Sequence, residues 1–317
     1  MPALTNMHID TFLTGVALGY KNTDYIADQV LPIVPAGKES GKIAGYGVEH
    51  YRLDFVARAI GADAARGDYQ SVTPLTFAAD DWEFEIPVDD RQRALYDDPF
   101  DAERDATLTC VEKILAKRED VVGTLMTTSG NFGGTTAAGT VWATSATATP
   151  ITNIRTAMEA IRGRTGVGYQ NMAACLGAGL YNKLIQCDQV KNLFINTIPG
   201  AAGPASIKPS NVAEIIGIGS VFVGPGVKLT SKEGAANAFA DLWGTSTCAI
   251  YVKSGRPSLM SPGFGVIISP TVPGFKGAVI AVEKYREERK HSDIVRAQAL
   301  FDVVAVTTAL GQIITGA

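Results

Sequence analysis

The chain has little of what most catalytic and metal-binding sites require. Its 317 residues include three histidines (His8, His50, His291) and four cysteines (Cys110, Cys175, Cys187, Cys248). No two histidines stand at a ligand spacing, no histidine neighbours a cysteine, and the cysteines form no close pair, so nothing supports a zinc site. Scattered cysteines in a chain this long fit free thiols in a reducing compartment better than a disulfide frame. No run of about 18 apolar residues occurs, which excludes a membrane-spanning helix. The opening MPALTNMHIDTFLTGVALGYKN has no basic region ahead of a long apolar core and does not read as a secretory signal. Charged residues make up only 19% of the chain, and the net charge of −4 is spread without a strongly basic block. That excludes the clustered Lys/Arg footprint of a tight nucleic-acid binder.

Motifs that invite a chemical reading fail on their spacing. GKESGK at Gly37–Lys42 has three residues where a phosphate loop needs four, and Ile43 stands where the Mg²⁺-binding hydroxyl belongs. A solvated turn fits it better. Gly217, Gly219 and Gly224 fit a turn or close packing better than a dinucleotide loop, because the third glycine is misplaced. No G-x-S-x-G elbow occurs. Asp89, Asp90, Arg91 and Arg93 form a dense charge run. It reads as a salt-bridged corner between strand and helix, as an intersubunit ion pair, or, less simply, as a carboxylate pair in a pocket. Arg118 and Glu119 read as a charged, solvated helix face. No catalytic residue, metal ligand or cofactor is expected.

What is present is Gly, Ala, Thr and Val in quantity, with 33 glycines and 46% hydrophobic residues. Such a mix suits strands, turns and broad contact surfaces. Residues 1–25 read as an arm, with partial helical spacing through Phe12 and too short to stabilise itself. Pro32 and Pro35 favour extended chain in the next stretch. Residues 37–80 read as a projecting two-stranded loop, with strand-like pieces at Lys42–Tyr46 and Ser71–Phe77 and too few large apolar residues for a core. Trp82, Phe84, Ile86 and Val88 alternate with acidic residues, as in a half-buried strand. A helix is expected over 99–128, with Leu108, Val111, Leu115, Val122 and Leu125 as its core positions, spanning roughly 45 Å. After a turn-rich stretch, residues 149–278 alternate helix and strand, including one helix over AGLYNKLIQCDQVKNLF. Residues 279–317 read as two strands joined by a turn.

The order of these features resembles the major capsid proteins of tailed phages with the Hong Kong 97-type fold. YIADQVLPIVP is similar to the family's entry into the body after the arm. SGKIAGYG and HYRLDFVARAIGA resemble the extended loop and its Arg-rich return. VDDRQRALYDDPFDAERDAT with KREDVV is similar to the strand corner and spine helix. GVGYQNMAACLGAGLYNKL and WGTSTCAIYV resemble parts of the outer domain. LIQCDQV departs from the pattern, since the family often has His-Pro where Cys187 and Asp188 stand.

The resemblance implies an α+β fold: an arm over 1–25, an extended loop over 37–80 and a peripheral domain from 26–36 and 81–148. It further implies an axial domain over 149–278 and closing strands over 279–317. Function would be self-assembly into the pentamers and hexamers of an icosahedral head that encloses double-stranded DNA without sequence-specific binding. Implied partners are copies of the chain, a separate scaffolding protein, a portal protein and a decoration protein, with no membrane. The expected place is the virion, after assembly in the host cytoplasm. Subunit-interface candidates are Phe12, Arg52, Arg58, Asp89, Asp90, Arg91 and Arg93. Two alternatives stand beside this: a nanocompartment shell of the same fold, and a soluble α/β enzyme with a deep pocket holding perturbed titratable groups. A tail or adhesion protein would show regular β-repeats, which are absent.

Overall fold

A computed structural model of the chain describes residues 13–14, 16–17, 24–45, 53, 57–58, 60–61, 63–64, 74–95, 101–197, 207–232, 234–258, 261–271 and 280–317. Two five-stranded sheets and one long helix organise them. The first sheet is built on β13 (Ser292–Ala305), whose 14 residues serve three partners. Strand β4 (Asp80–Asp89) pairs antiparallel with it from Ser292 to Phe301, and β12 (Ala281–Glu287) from Ser292 to Gln298. Its last residues pair with β11 (Gly265–Pro270), which carries β1 (Ile33–Ala36) in parallel at the edge. Strands β2 (Ser40–Ala44) and β3 (Pro74–Ala78) pair antiparallel as a two-stranded ribbon.

In the second sheet the order is β5 (Thr135–Ala137), β14 (Gly311–Thr315), β10 (Thr247–Val252), β6 (Met172–Gly177) and β7 (Ser220–Gly224). Strand β6 is buried at every position, as its apolar run MAACLG requires of a strand covered on both faces. Helices α4 (Pro150–Thr165), α5 (Ala178–Gln186), α6 (Asp188–Thr197) and α7 (Pro209–Ile216) accompany this sheet. A short ribbon of β8 (Val227–Leu229) and β9 (Phe239–Asp241) follows β7.

The C-terminal segment differs from the two strands expected. Strands β12 and β13 form a hairpin whose turn ends at His291, in the left-handed region at φ 49°. The chain then leaves the first sheet, and β14 enters the second between β5 and β10. Gly311 makes that entry possible: a Cβ there would lie 2.6 Å from the rings of both Phe132 and Phe264. The single helix expected around 178–194 is two. It breaks at Cys187, which is fully buried, extended (ψ 135°), and donates its thiol to the Trp142 carbonyl at 3.3 Å.

The spine helix, α3, runs Ala102–Thr127, about 39 Å at 1.5 Å per residue. It starts at Asp101, whose carboxylate accepts from the N–H groups of Glu103 (3.0 Å) and Arg104 (3.3 Å), an N-cap that fixes the boundary. Its buried positions are Ala106, Thr107, Cys110, Val111, Ile114, Arg118, Glu119, Val122, Gly123 and Met126. Of the expected core positions, Val111 and Val122 are fully buried, while Leu108, Leu115 and Leu125 are half-buried. Arg118 and Glu119, expected on a solvated face, are buried instead. The reason is that the helix is covered on more than one side. Strands β4 and β13 lie along one flank, α1 (Ala27–Val30) meets another, and at Gly123 a Cβ would stand 2.6 Å from the Leu242 carbonyl oxygen.

Candidate assembly surfaces

The middle of α3 holds a buried polar junction. Glu119 Oε1 accepts from the Ile26 N–H (3.0 Å) and from the Trp243 indole N–H (2.5 Å), and Oε2 accepts from the Ala27 N–H (2.8 Å). One carboxylate thus joins the spine helix to the start of α1 and to the segment before β10. Burial pushes the Glu119 carboxyl above its ordinary range, against the pull of its donors. Beside it, Arg118 reaches Asp28 at 2.7 Å. Sequence reasoning missed this junction because a charged pair on a helix carries no local sign of what covers it. Of the arm, Leu13 and Ala17 are buried, and the Thr14 hydroxyl exchanges hydrogen bonds with the backbone of Val282 (3.3 and 3.1 Å). Leu13, Thr14 and Ala17 therefore dock on their own chain.

The charge run after β4 is drawn into a network. Asp90 takes a two-pronged contact from Arg286, 2.7 Å on each oxygen. Arg93 bridges Asp293 (2.6 Å) and Glu103 (2.5 Å), and Lys284 reaches Glu103 at 2.6 Å. Hydrogen bonds from Arg286 hold the Asp90 carboxyl low, and one from Arg93 does the same for Asp293. Asp90 and Arg93 are thus engaged within the chain. Asp89 accepts from the backbone N–H of Arg91 at 2.8 Å, and the exposed Arg91 makes no ion pair among the described residues. Arg58 is exposed. Phe12 and Arg52 lie outside the described residues.

Two apolar features face outward. A hollow of about 340 Å³ beside β2 and β3 is lined by Val34, Ile43, Phe77, Pro257, Val266 and Val306. On the β8–β9 ribbon, Leu229 stands opposite Phe239 with Val227 on the same face, and the three are 54%, 67% and 53% exposed. Among the described residues, no group of three or more His, Cys, Asp or Glu is placed to hold a metal, and no helix is long and apolar enough to cross a membrane.

No family model matches the chain. It is 28% identical over 251 residues, 78% of each chain, to the major capsid protein of Burkholderia phage BcepMu. Its fold superposes with a TM-score of 0.73 on a phage-related protein from Bordetella bronchiseptica RB50, at 18% identity over 98% of both chains. It superposes at 0.58 on the capsid of cyanophage P-SCSP1u, at 10% identity over 92% of this chain and 88% of that one. A long helix under a sheet, a two-stranded ribbon and a second helix-flanked sheet make up the Hong Kong 97-type fold. In sequence the chain is thus similar to a phage major capsid protein, and in fold to solved phage capsid proteins.

Proposed function

We propose that the chain is a phage major capsid protein, a structural component of the virion and not an enzyme, and that it assembles into the pentamers and hexamers of an icosahedral head that encloses double-stranded DNA without reading its sequence. The observation that carries the reading is the likeness to the BcepMu major capsid protein over most of both chains. The surfaces above support it: a long loop rooted on a two-stranded ribbon, the exposed apolar face of the β8–β9 ribbon, and an apolar hollow beside β2 and β3 are features a neighbouring subunit would cover. In this reading residues 1–25 are the arm, 37–80 the extended loop, 26–36 with 81–148 the peripheral domain, 149–278 the axial domain and 279–317 the closing strands. Phe12, Arg52, Arg58, Asp89 and Arg91 serve at contacts between subunits. A separate scaffolding protein, a portal protein and a decoration protein complete the head.

Electron microscopy of the expressed chain, alone and with the product of a neighbouring scaffolding gene, tests this. Five- and six-fold rings or closed shells are expected. A monomer that persists in every condition would overturn the proposal, and shells filled with a protein cargo in place of DNA would favour a nanocompartment. Deleting residues 1–10, upstream of the docked Leu13 and Thr14, is expected to leave a folded body that assembles poorly.

A further inference from the structure

Charge is divided unevenly along the chain. Residues 149–258 carry ten Lys and Arg against five Asp and Glu, while the rest carries eighteen against twenty-seven. The fold gathers each sign onto a surface. On the face of the first sheet turned away from α3, Asp81, Glu83 and Glu85 of β4 stand in register with Leu300, Gln298 and Arg296 of β13, and Glu283 lies beyond Arg296 on β12. Arg296 donates to Glu283 and, at 3.2 Å, to Glu83. Gln298 donates to Asp81 at 2.8 Å, and the Tyr285 hydroxyl to Glu85 at 2.9 Å. Two carboxylates, Glu83 and Glu283, thus share one guanidinium, while Asp81 and Glu85 beside them make no salt bridge among the described residues. Burial raises the Glu83 carboxyl first, and the neighbouring Asp81, Glu283 and Glu85 raise it further against the pull of Arg296.

The opposite sign lies on the second sheet's β7 side. Arg155, Glu159 and Arg162 follow one another at helical steps along an exposed face of α4. Arg155 donates to the Ile215 carbonyl at 3.2 Å. Arg162 donates to the Tyr169 hydroxyl at 2.9 Å, and that hydroxyl donates to Glu159. Lys253 is anchored by its backbone N–H on the Asn171 carbonyl (2.8 Å), with its ammonium 4.3 Å from the centre of the Phe222 ring. None of these three cations makes a salt bridge among the described residues.

A ring of identical subunits needs two different, complementary surfaces on each copy. We infer that the basic rim of one copy, Arg155, Arg162 and Lys253, docks on the acidic face of a second copy at Asp81, Glu83 and Glu85. This rests on the capsid-subunit reading above. Charge complementarity selects the occupant: the acidic face has a surplus of carboxylates, and the rim has cations that make no salt bridge among the described residues. Nucleic acid fits the rim less well, because three cations interrupted by Glu159 fall short of the clustered Lys/Arg footprint it requires. Such contacts act mainly on the rate and register of association and weaken with salt.

The test uses the full chain with paired charge reversals, Arg155→Glu with Arg162→Glu, and Asp81→Lys with Glu85→Lys. Light scattering and electron microscopy follow assembly. Each pair is expected to slow assembly about tenfold at low salt, and the four substitutions combined in one chain to restore most of the rate. Pairs that assemble at the wild-type rate, or a fourfold variant no faster than either pair, would overturn the inference. So would normal shells with reduced DNA content in the rim variant, which would make nucleic acid the occupant. If a variant does not fold, the wild-type rate decides: a fall with rising salt supports the contact, and no change overturns it. A wild-type chain that never forms rings or shells overturns both readings, whereas normal wild-type shells with insensitive variants overturn only this one.

Discussion

The Trp243 indole N–H donates to the Glu119 carboxylate at 2.5 Å, tying the segment before β10 to the middle of the spine helix. The same carboxylate holds the N–H groups of Ile26 and Ala27 at the start of α1. Replacing Glu119 by Ala leaves three buried donors without an acceptor. Each such donor costs about 1–3 kcal/mol, but relaxation and entering water share the loss. The expected destabilisation is about 3–5 kcal/mol, measured by urea unfolding, with a proteolytic site opening near residues 24–31. A variant as stable as the wild type would show that the junction contributes nothing.

Titration gives the same residue a second signature. Glu119 is held above its ordinary value by burial, so the folded chain keeps this proton to higher pH than the unfolded chain. Its contribution to stability is greatest below the unfolded value and is lost as pH rises through the folded one. Asp90 and Asp293, held low by Arg286 and Arg93, run the opposite way: their contribution is present above the unfolded carboxylate value and lost as pH falls through the depressed one. The difference in melting temperature between wild type and Glu119→Gln should therefore shrink as pH rises from 4.5. A difference constant with pH would contradict the elevated Glu119 value.

Gly224 lies under the Trp243 ring, and a Cβ there would fall inside the indole. Gly224→Ala forces Trp243 to move, at a cost of about 1–3 kcal/mol for overpacking, and disturbs its bond to Glu119. Thermal melting should show the loss, and the Glu119→Ala and Gly224→Ala effects should add to less than their sum.

A charge on the spine separates its buried face from its half-buried one. Val111 is fully buried and Leu115 is not. Val111→Asp strands an unpaired carboxylate in the core and should abolish folding, whereas Leu115→Asp, able to reach water, should leave a weakened but folded chain. Circular dichroism of the two variants distinguishes them.

All four cysteines are free and buried. Burial pushes the Cys110 thiol up to about 11 and Cys248 to about 12. Since the thiolate is the reactive form, the native chain should react with none of its four thiols at neutral pH on the minutes scale. All four should react in guanidinium chloride. Fast reaction of any native thiol would place that cysteine outside the core.

Much of the secondary structure was legible because it rests on local rules. The alternation from Trp82 to Val88, the acidic start of α3 and the Gly166 that closes α4 in the left-handed region are each written within a few residues. The break at Cys187 was not legible, because it depends on the distant Trp142 carbonyl. Nor was the burial of Arg118 and Glu119, which depends on Asp28, Ile26, Ala27 and Trp243.

By itself, then, the sequence determined the kinds of element, their order, the absence of a metal-ligand pattern and the resemblance to a shell-forming family. Periodicity and turn chemistry act over one or two turns of chain, so they can be read directly. Only the tertiary structure decided which charges are partners and which remain free. It paired Asp90 with Arg286 and Arg93 with Asp293 across some 200 positions, and carried the last strand from one sheet into the other. Those outcomes depend on which distant surfaces share a space too narrow for water, a quantity no local pattern records.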